Sequence, residues 1–159
     1  MVTIREARES DVDALVDLVV RLKRLNSEFD PLFSARNDCA ERAREYLMNA
    51  LRDNKNHLVL VAEDMGGKIV GVIKADIRER LFYSPSIEGA IVDFYVMPEY
   101  RRKGGLGRMM LERAITMLRE RGGAQLITAE FPTQNQIAVN FYNKMGGFRS
   151  LVSIYAKET

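Results

Sequence analysis

The stretch VMPEYRRKGGLGRMMLERA, Val96 to Ala114, decides how the rest of the chain is read. Arg101, Arg102 and Lys103 run into Gly104, Gly105 and Gly107, and an apolar pattern at helical spacing begins straight after. Glycine frees the backbone for unusual angles, and the first turn of a helix presents unpaired N–H groups at its positive end. Two readings follow. In one, the segment is a solvated surface turn. In the other it is an anion cradle, where loop N–H groups, a helix start and nearby cations converge on a phosphate.

Outward from this stretch, the pattern predicts alternating elements. VTIREA (2–7) reads as a strand. Ser10 and Asp13 carry the spacing of a capping box before a helix marked by Val12, Leu15, Val16, Val19 and Leu22, which fades near Asn26–Pro31. Ala43, Tyr46, Leu47, Ala50 and Leu51 mark a second helix. HLVLVAE (57–63) and IVGVIKADI (69–77) read as strands joined by the hairpin loop DMGGK, and a further strand covers roughly 88–97 after a loop at 81–87. A helix over 105–121 stops at Gly122–Gly123. AQLITAEF (124–131) is a strand, and 135–145 a short helix with Ile137, Ala138, Phe141 and Met145 on one side. FRSLVSIYAKE closes the pattern as a strand. The order β-α-α-β-β-β-α-β-α-β predicts a single α/β domain over 1–159, with a mixed, mostly antiparallel sheet flanked by helices.

Composition narrows the function classes. With 159 residues, 47% hydrophobic and 29% charged, the chain has the make-up of one globular domain with a sizeable core. A net charge of +2 is too small to argue for nucleic acid. One cysteine, Cys39, and one histidine, His57, leave little for a disulfide, a metal centre or a histidine-based triad, so no metal is expected. No basic leader with an apolar core and no membrane-length apolar run is present in the sequence, so no membrane association and a cytoplasmic location are expected.

The glycine loop does not fit the common nucleotide motifs. A nucleotide-triphosphate loop needs Lys then Ser or Thr after its last glycine, where this chain has Arg108 and Met109. A dinucleotide fingerprint needs a glycine where Met110 stands. Instead, Arg102-Lys103-Gly104-Gly105-Leu106-Gly107, preceded by Val96, Pro98 and Tyr100, resembles the pyrophosphate loop of the GCN5-related N-acetyltransferases. Downstream, AEFPTQNQIAVNFYNKMGGF resembles the same family's strand, asparagine, helix and Phe-Tyr segment, with Asn135 and Tyr142 at the family's separation. The likeness is specific over about 92–148. It departs at the additional residue in RRKGGLG, at the additional glycine in MGGF, and at Val92, where the family often carries a glutamate.

The resemblance implies the acyl-CoA N-acyltransferase fold, acetyl-CoA as co-substrate and direct acetyl transfer to a primary amine: a protein N-terminus, a lysine or a small molecule. It places the pyrophosphate at Arg101, Arg102, Lys103, Gly104, Gly105, Leu106, Gly107 and Arg108. The pantetheine arm falls along the backbone of Phe94, Tyr95 and Val96, with a contact from Asn135, which also suits a helix N-cap. Tyr142 is the expected general acid toward the departing thiolate. Glu130 is the expected base, with Asp93, Glu88 or an ordered water as alternatives. The loop NSEFDPLF (26–33) lies where the family lines its acceptor site. A homodimer is compatible with this reading, and a catalytically silent acyl-CoA sensor on the same fold is the alternative.

Overall fold

The computed structural model describes residues 1–101 and 104–159. Five strands form one sheet in the order β1-β2-β3-β4-β5: β1 Thr3–Glu6, β2 His57–Glu63, β3 Ile69–Glu79, β4 Ile87–Val96 and β5 Leu126–Ala129. β1 to β4 pair antiparallel and β5 joins β4 in parallel, as the mixed sheet requires. The four α-helices are α1 Val12–Asn26, α2 Cys39–Leu51, α3 Leu106–Gly122 and α4 Gln136–Met145, with short 3-10 turns at Glu9–Asp11, Pro31–Phe33 and Pro98–Tyr100.

The period-2 alternation of β3 decides which helix covers which face. Gly71 turns to α3 so closely that a Cβ there would stand 3.0 Å from Met110 Sδ, and Ile77, on the same face, meets Gly122. Lys74, of opposite parity, lies beneath the Tyr46 ring of α2. So α3 packs on one face, and α1 with α2 on the other. Leu15, Leu18, Leu47, Leu60, Ile73, Ile91, Met110, Leu111 and Leu118 are fully buried between these layers.

Three expectations are corrected. Ser10 does not cap α1. Asp11 has that place in the chain, and its carboxylate accepts the Arg8 N–H at 2.7 Å and both terminal nitrogens of Arg5, a tighter set of partners than a lone serine hydroxyl. Ile137, expected on the packed side of α4, is exposed, and Tyr142 is the buried residue of that helix. The closing strand is absent: residues 148–159 carry no strand, and Leu151, Val152, Ile154 and Tyr155 are exposed. Alternation alone does not make a strand; it needs an edge to pair with, and this segment pairs with none among the described residues.

Candidate active site

β4 carries a bulge. Its register against β3 jumps from Lys74↔Asp93 to Ala75↔Ile91, leaving Val92 as the unmatched residue. Without it, Asp93 would share the α3 face with Gly89 and Ile91. With it, Asp93 crosses to the α1–α2 face and lines up with Lys74.

The parallel pairing with β5 also stops here, at Ile91↔Ala129, extended only by the Glu130 N–H on the Ile91 carbonyl at 3.0 Å. Beyond that point, among the described residues, β4 has an edge unpaired by any strand. Met97 N–H goes to Val70 on β3, so by alternation Val96 and Phe94 turn their backbone groups to the open edge, and Tyr95 turns its own to β3. Arg101 reports the same geometry: its Nε donates to the Val96 carbonyl at 2.7 Å, with the guanidinium 5.1 Å from the centre of the Tyr95 ring. Arg101 therefore lies against the end of β4 while remaining exposed. Arg102 and Lys103 lie outside the described residues.

The glycine loop opens directly onto this edge. Gly104 and Gly105 have φ of 68° and 65°, the left-handed region that a side chain resists, and nothing stands within 4 Å of where their Cβ atoms would be. Gly105 is the N-cap of α3, so the first N–H groups of the helix face that open space. The loop presents backbone donors to open space, and the neighbouring β4 edge offers the alternating donors and acceptors an amide-bearing chain needs. Leu106 is buried, so its contribution is its N–H. Arg108 pairs with Glu112 at 2.9 Å on the exposed side of α3.

Tyr142 sits beyond the loop in an aromatic cluster. Its ring stacks on Phe131 at 5.4 Å and meets Phe141 edge-on at 5.2 Å, with Phe148 at 5.1 Å. Phe141 in turn meets Phe94 at 5.7 Å, which ties the cluster to the open edge of β4. Burial holds the phenol proton well above its ordinary value, so Tyr142 is neutral at any working pH. Asn135 is the N-cap of α4, its Oδ1 accepting the Ala138 N–H at 3.1 Å, which leaves its amide hydrogens to donate. Glu130 is exposed and forms a 2.8 Å ion pair with Arg78. Glu88 accepts from the Thr128 hydroxyl.

The group that sequence reasoning undervalued is Asp93. It is 1% exposed and accepts from Lys23 Nζ of α1 and the Tyr46 hydroxyl of α2, both at 2.5 Å. Next to it, Lys74 donates to Asp76 at 2.6 Å, and His57 Nδ1 meets the same oxygen at 2.7 Å. Burial would raise the Asp76 carboxyl, but these two partners outweigh it and hold it below its usual range. The Tyr46 phenol is pushed far up, first by burial and then by the Asp93 charge beside it, with Asp76 and Glu130 adding to the effect. One signal was available: a lysine inside the apolar run IVGVIKADI needs a buried partner.

An acetyltransferase family model, the GNAT family, matches residues 21–148, a span that contains the bulged strand, the glycine cradle and the Asn135–Tyr142 helix. The chain belongs to the GNAT acetyltransferase family. Its five-stranded mixed sheet with four flanking helices is the acyl-CoA N-acyltransferase fold of that family. Its structure superposes on a tetramutant of the BH1408 protein from Bacillus halodurans with a TM-score of 0.82, at 19% identity over 98% of this chain and 99% of that one. It also superposes on an aminoglycoside 6'-N-acetyltransferase from Acinetobacter haemolyticus, with a TM-score of 0.76 at 17% identity over 99% and 98% of the two chains. At such identities the likeness is one of fold. In sequence, an alpha-tubulin N-acetyltransferase from Anopheles gambiae is 37% identical over 78 residues, 44% of this chain. That match spans 15% of the relative's own length. Among the described residues, no helix is long and apolar enough to cross a membrane.

Proposed function

We propose that this GNAT enzyme moves an acetyl group from acetyl-CoA straight to a primary amine, without a covalent enzyme intermediate. The observation that carries the reading is the junction of the open β4 edge with the glycine cradle. A pyrophosphate would sit in the open space at Gly104 and Gly105, facing the first N–H groups of α3, and the outward backbone groups of Phe94 and Val96 suit the amides of a pantetheine arm. Arg101 is placed to exchange its Val96 partner for the cofactor. Arg102 and Lys103 would add charge near the phosphates.

Acetyl-CoA supplies the acyl group as a thioester. The chain's own part is to hold that thioester where an N–H of the 94–96 stretch can stabilise the oxyanion as the amine attacks. Tyr142, kept protonated by burial, would then donate a hydrogen bond to the departing sulfur, whose thiol has an ordinary pKa near 8.5. A phenol raised this far shares its proton with the thiolate more readily than it surrenders it. The proton released by the amine would pass to a carboxylate or to water. Glu130 remains a candidate for that step, with Asp93 placed more deeply at the β4 bulge.

The named relatives are N-acetyltransferases of acceptors as different as alpha-tubulin and an aminoglycoside, so the acceptor follows from this chain's own residues rather than from theirs. A homodimer belongs to the same reading, supported by the exposed apolar residues Leu151, Val152, Ile154 and Tyr155. The test is calorimetric titration with acetyl-CoA and with dephospho-CoA. Saturable binding that Gly105→Glu abolishes is the expected result. Absence of binding at millimolar ligand overturns it.

A further inference from the structure

A cleft of about 410 Å³ opens between α1, the turn at 31–36 and α2. Val19, Phe33, Ala35, Cys39 and Ala43 give it an apolar body, and the charged side chains lining it are Lys23, Arg36 and Arg42, all cationic. Tyr46 closes it on the side where its hydroxyl meets Asp93, the residue immediately before Phe94 on the open β4 edge. Tyr46 therefore links the inner end of the cleft to the strand on which the thioester is proposed to lie.

The charges do not cancel along its length. At the inner end, Lys23 is matched by Asp93 at 2.5 Å. At the outer end, Arg36 and Arg42 share one carboxylate: Asp38 receives the Nε of each, at 2.9 Å and 2.8 Å. That bridge keeps Asp38 ionised, its carboxyl held down to about 2 by both guanidiniums. One positive charge is left over, and the terminal amino groups of both arginines are uncommitted among the described contacts. Paired guanidinium forks at that geometry suit a carboxylate or a phosphate.

Resting on the acetyltransferase reading, we propose that this cleft takes the acceptor, and that the acceptor is a primary amine with an apolar body and an anionic group. The anion sits between Arg36 and Arg42. The body lies against Val19, Phe33 and Ala43. The amine points inward, toward Tyr46. A polycationic acceptor meets a net positive mouth and is disfavoured.

The experiment measures binding, so it does not wait on turnover. Protein saturated with CoA is titrated with 4-(aminomethyl)benzoate, 4-(aminomethyl)phenyl phosphate, 4-methylbenzylamine and spermidine. At least one anionic amine should bind about tenfold or more tighter than 4-methylbenzylamine, the scale of a charge-assisted contact. The two anionic arms separate a carboxylate from a phosphate. Arg36→Gln with Arg42→Gln, both exposed positions, should collapse that preference to within about twofold while the acetyl-CoA affinity stays put. The proposal is overturned if 4-methylbenzylamine or spermidine binds as well as the anionic probes, if neither anionic probe binds at millimolar concentration, or if the preference survives the double substitution. Failure of the wild-type protein to bind acetyl-CoA would instead overturn the enzyme reading beneath it.

Discussion

Tyr46 of α2 donates its phenol hydrogen to the carboxylate of Asp93 on β4 at 2.5 Å, and Lys23 of α1 reaches the other oxygen. The contact joins both helices of one face to the bulged strand. It exists because Val92 turns Asp93 to that face.

Asp93→Asn should therefore be costly. It leaves a lysine and a phenol facing an amide in a site where Asp93 is 1% exposed. Breaking a buried pair costs about 3 kcal/mol, toward the low end of the usual range because Lys23 can still reach water. Tyr46→Phe removes one donor and should cost about 1–2 kcal/mol. Urea unfolding curves of the two variants and the parent measure both. Equal midpoints would show that the contact adds nothing to stability.

The same contact sets an alkaline limit. The Tyr46 and Tyr142 phenols are both raised in the folded protein, by burial in each case and for Tyr46 also by Asp93. A raised phenol favours the fold fully while it is protonated in both states, that is below the unfolded value near 10. Above that pH the unfolded chain gains by ionising and the native state does not, so stability falls as pH rises toward the folded values. Spectrophotometric titration should show these two phenols ionising only together with loss of the far-ultraviolet circular dichroism. Replacing both by Phe should move alkaline unfolding upward. Reversible ionisation of all six tyrosines in the native protein would contradict it.

Much of this arrangement was legible in the sequence, for physical reasons that differ by element. HLVLVAE and IVGVIKADI are buried on both faces, so their apolar runs announce strands. RRKGGLG was readable because left-handed backbone demands glycine, and the Asn135–Tyr142 spacing fixes a helix turn. The bulge at Val92 was not readable. Which face Asp93 meets depends on the register against β3, a relation between segments that are distant in sequence. The position looked like one that had lost an acid, whereas the acid one residue on is carried to the α1–α2 face. The Arg36–Asp38–Arg42 bridge was equally hidden, because its meaning comes from the cleft it borders. FRSLVSIYAKE misled in the other direction: its pattern is that of a strand, but among the described residues it pairs with no strand.

Tyr142→Phe separates catalysis from packing. The hydroxyl has no hydrogen-bond partner among the described residues, while the ring has three aromatic neighbours. Removing the oxygen should therefore leave stability and acetyl-CoA affinity within about twofold of the parent while turnover drops about a hundredfold, the scale of one proton-donating group. Stopped-assay measurement of thiol release against a responsive amine gives the rate, and calorimetry the affinity. Unchanged turnover would remove Tyr142 from the chemistry.

The exposed segment 148–159 makes the last prediction. Leu151, Val152, Ile154 and Tyr155 are 51%, 70%, 88% and 97% exposed, an apolar patch a lone molecule rarely presents to water. β5, at the end of the sheet order, has β4 on one side and, among the described residues, no strand on the other. A short edge strand and an unpaired strand-like segment in the same molecule can satisfy each other between two copies, which buries the patch and completes both sheets. Light scattering on the purified protein should give twice the chain mass. Ile154→Asp with Tyr155→Asp should yield a monomer that keeps its circular dichroism, since neither side chain contributes to the buried core. A parent protein that is monomeric at all concentrations, or a double variant that stays dimeric, would show that this segment does not join two copies.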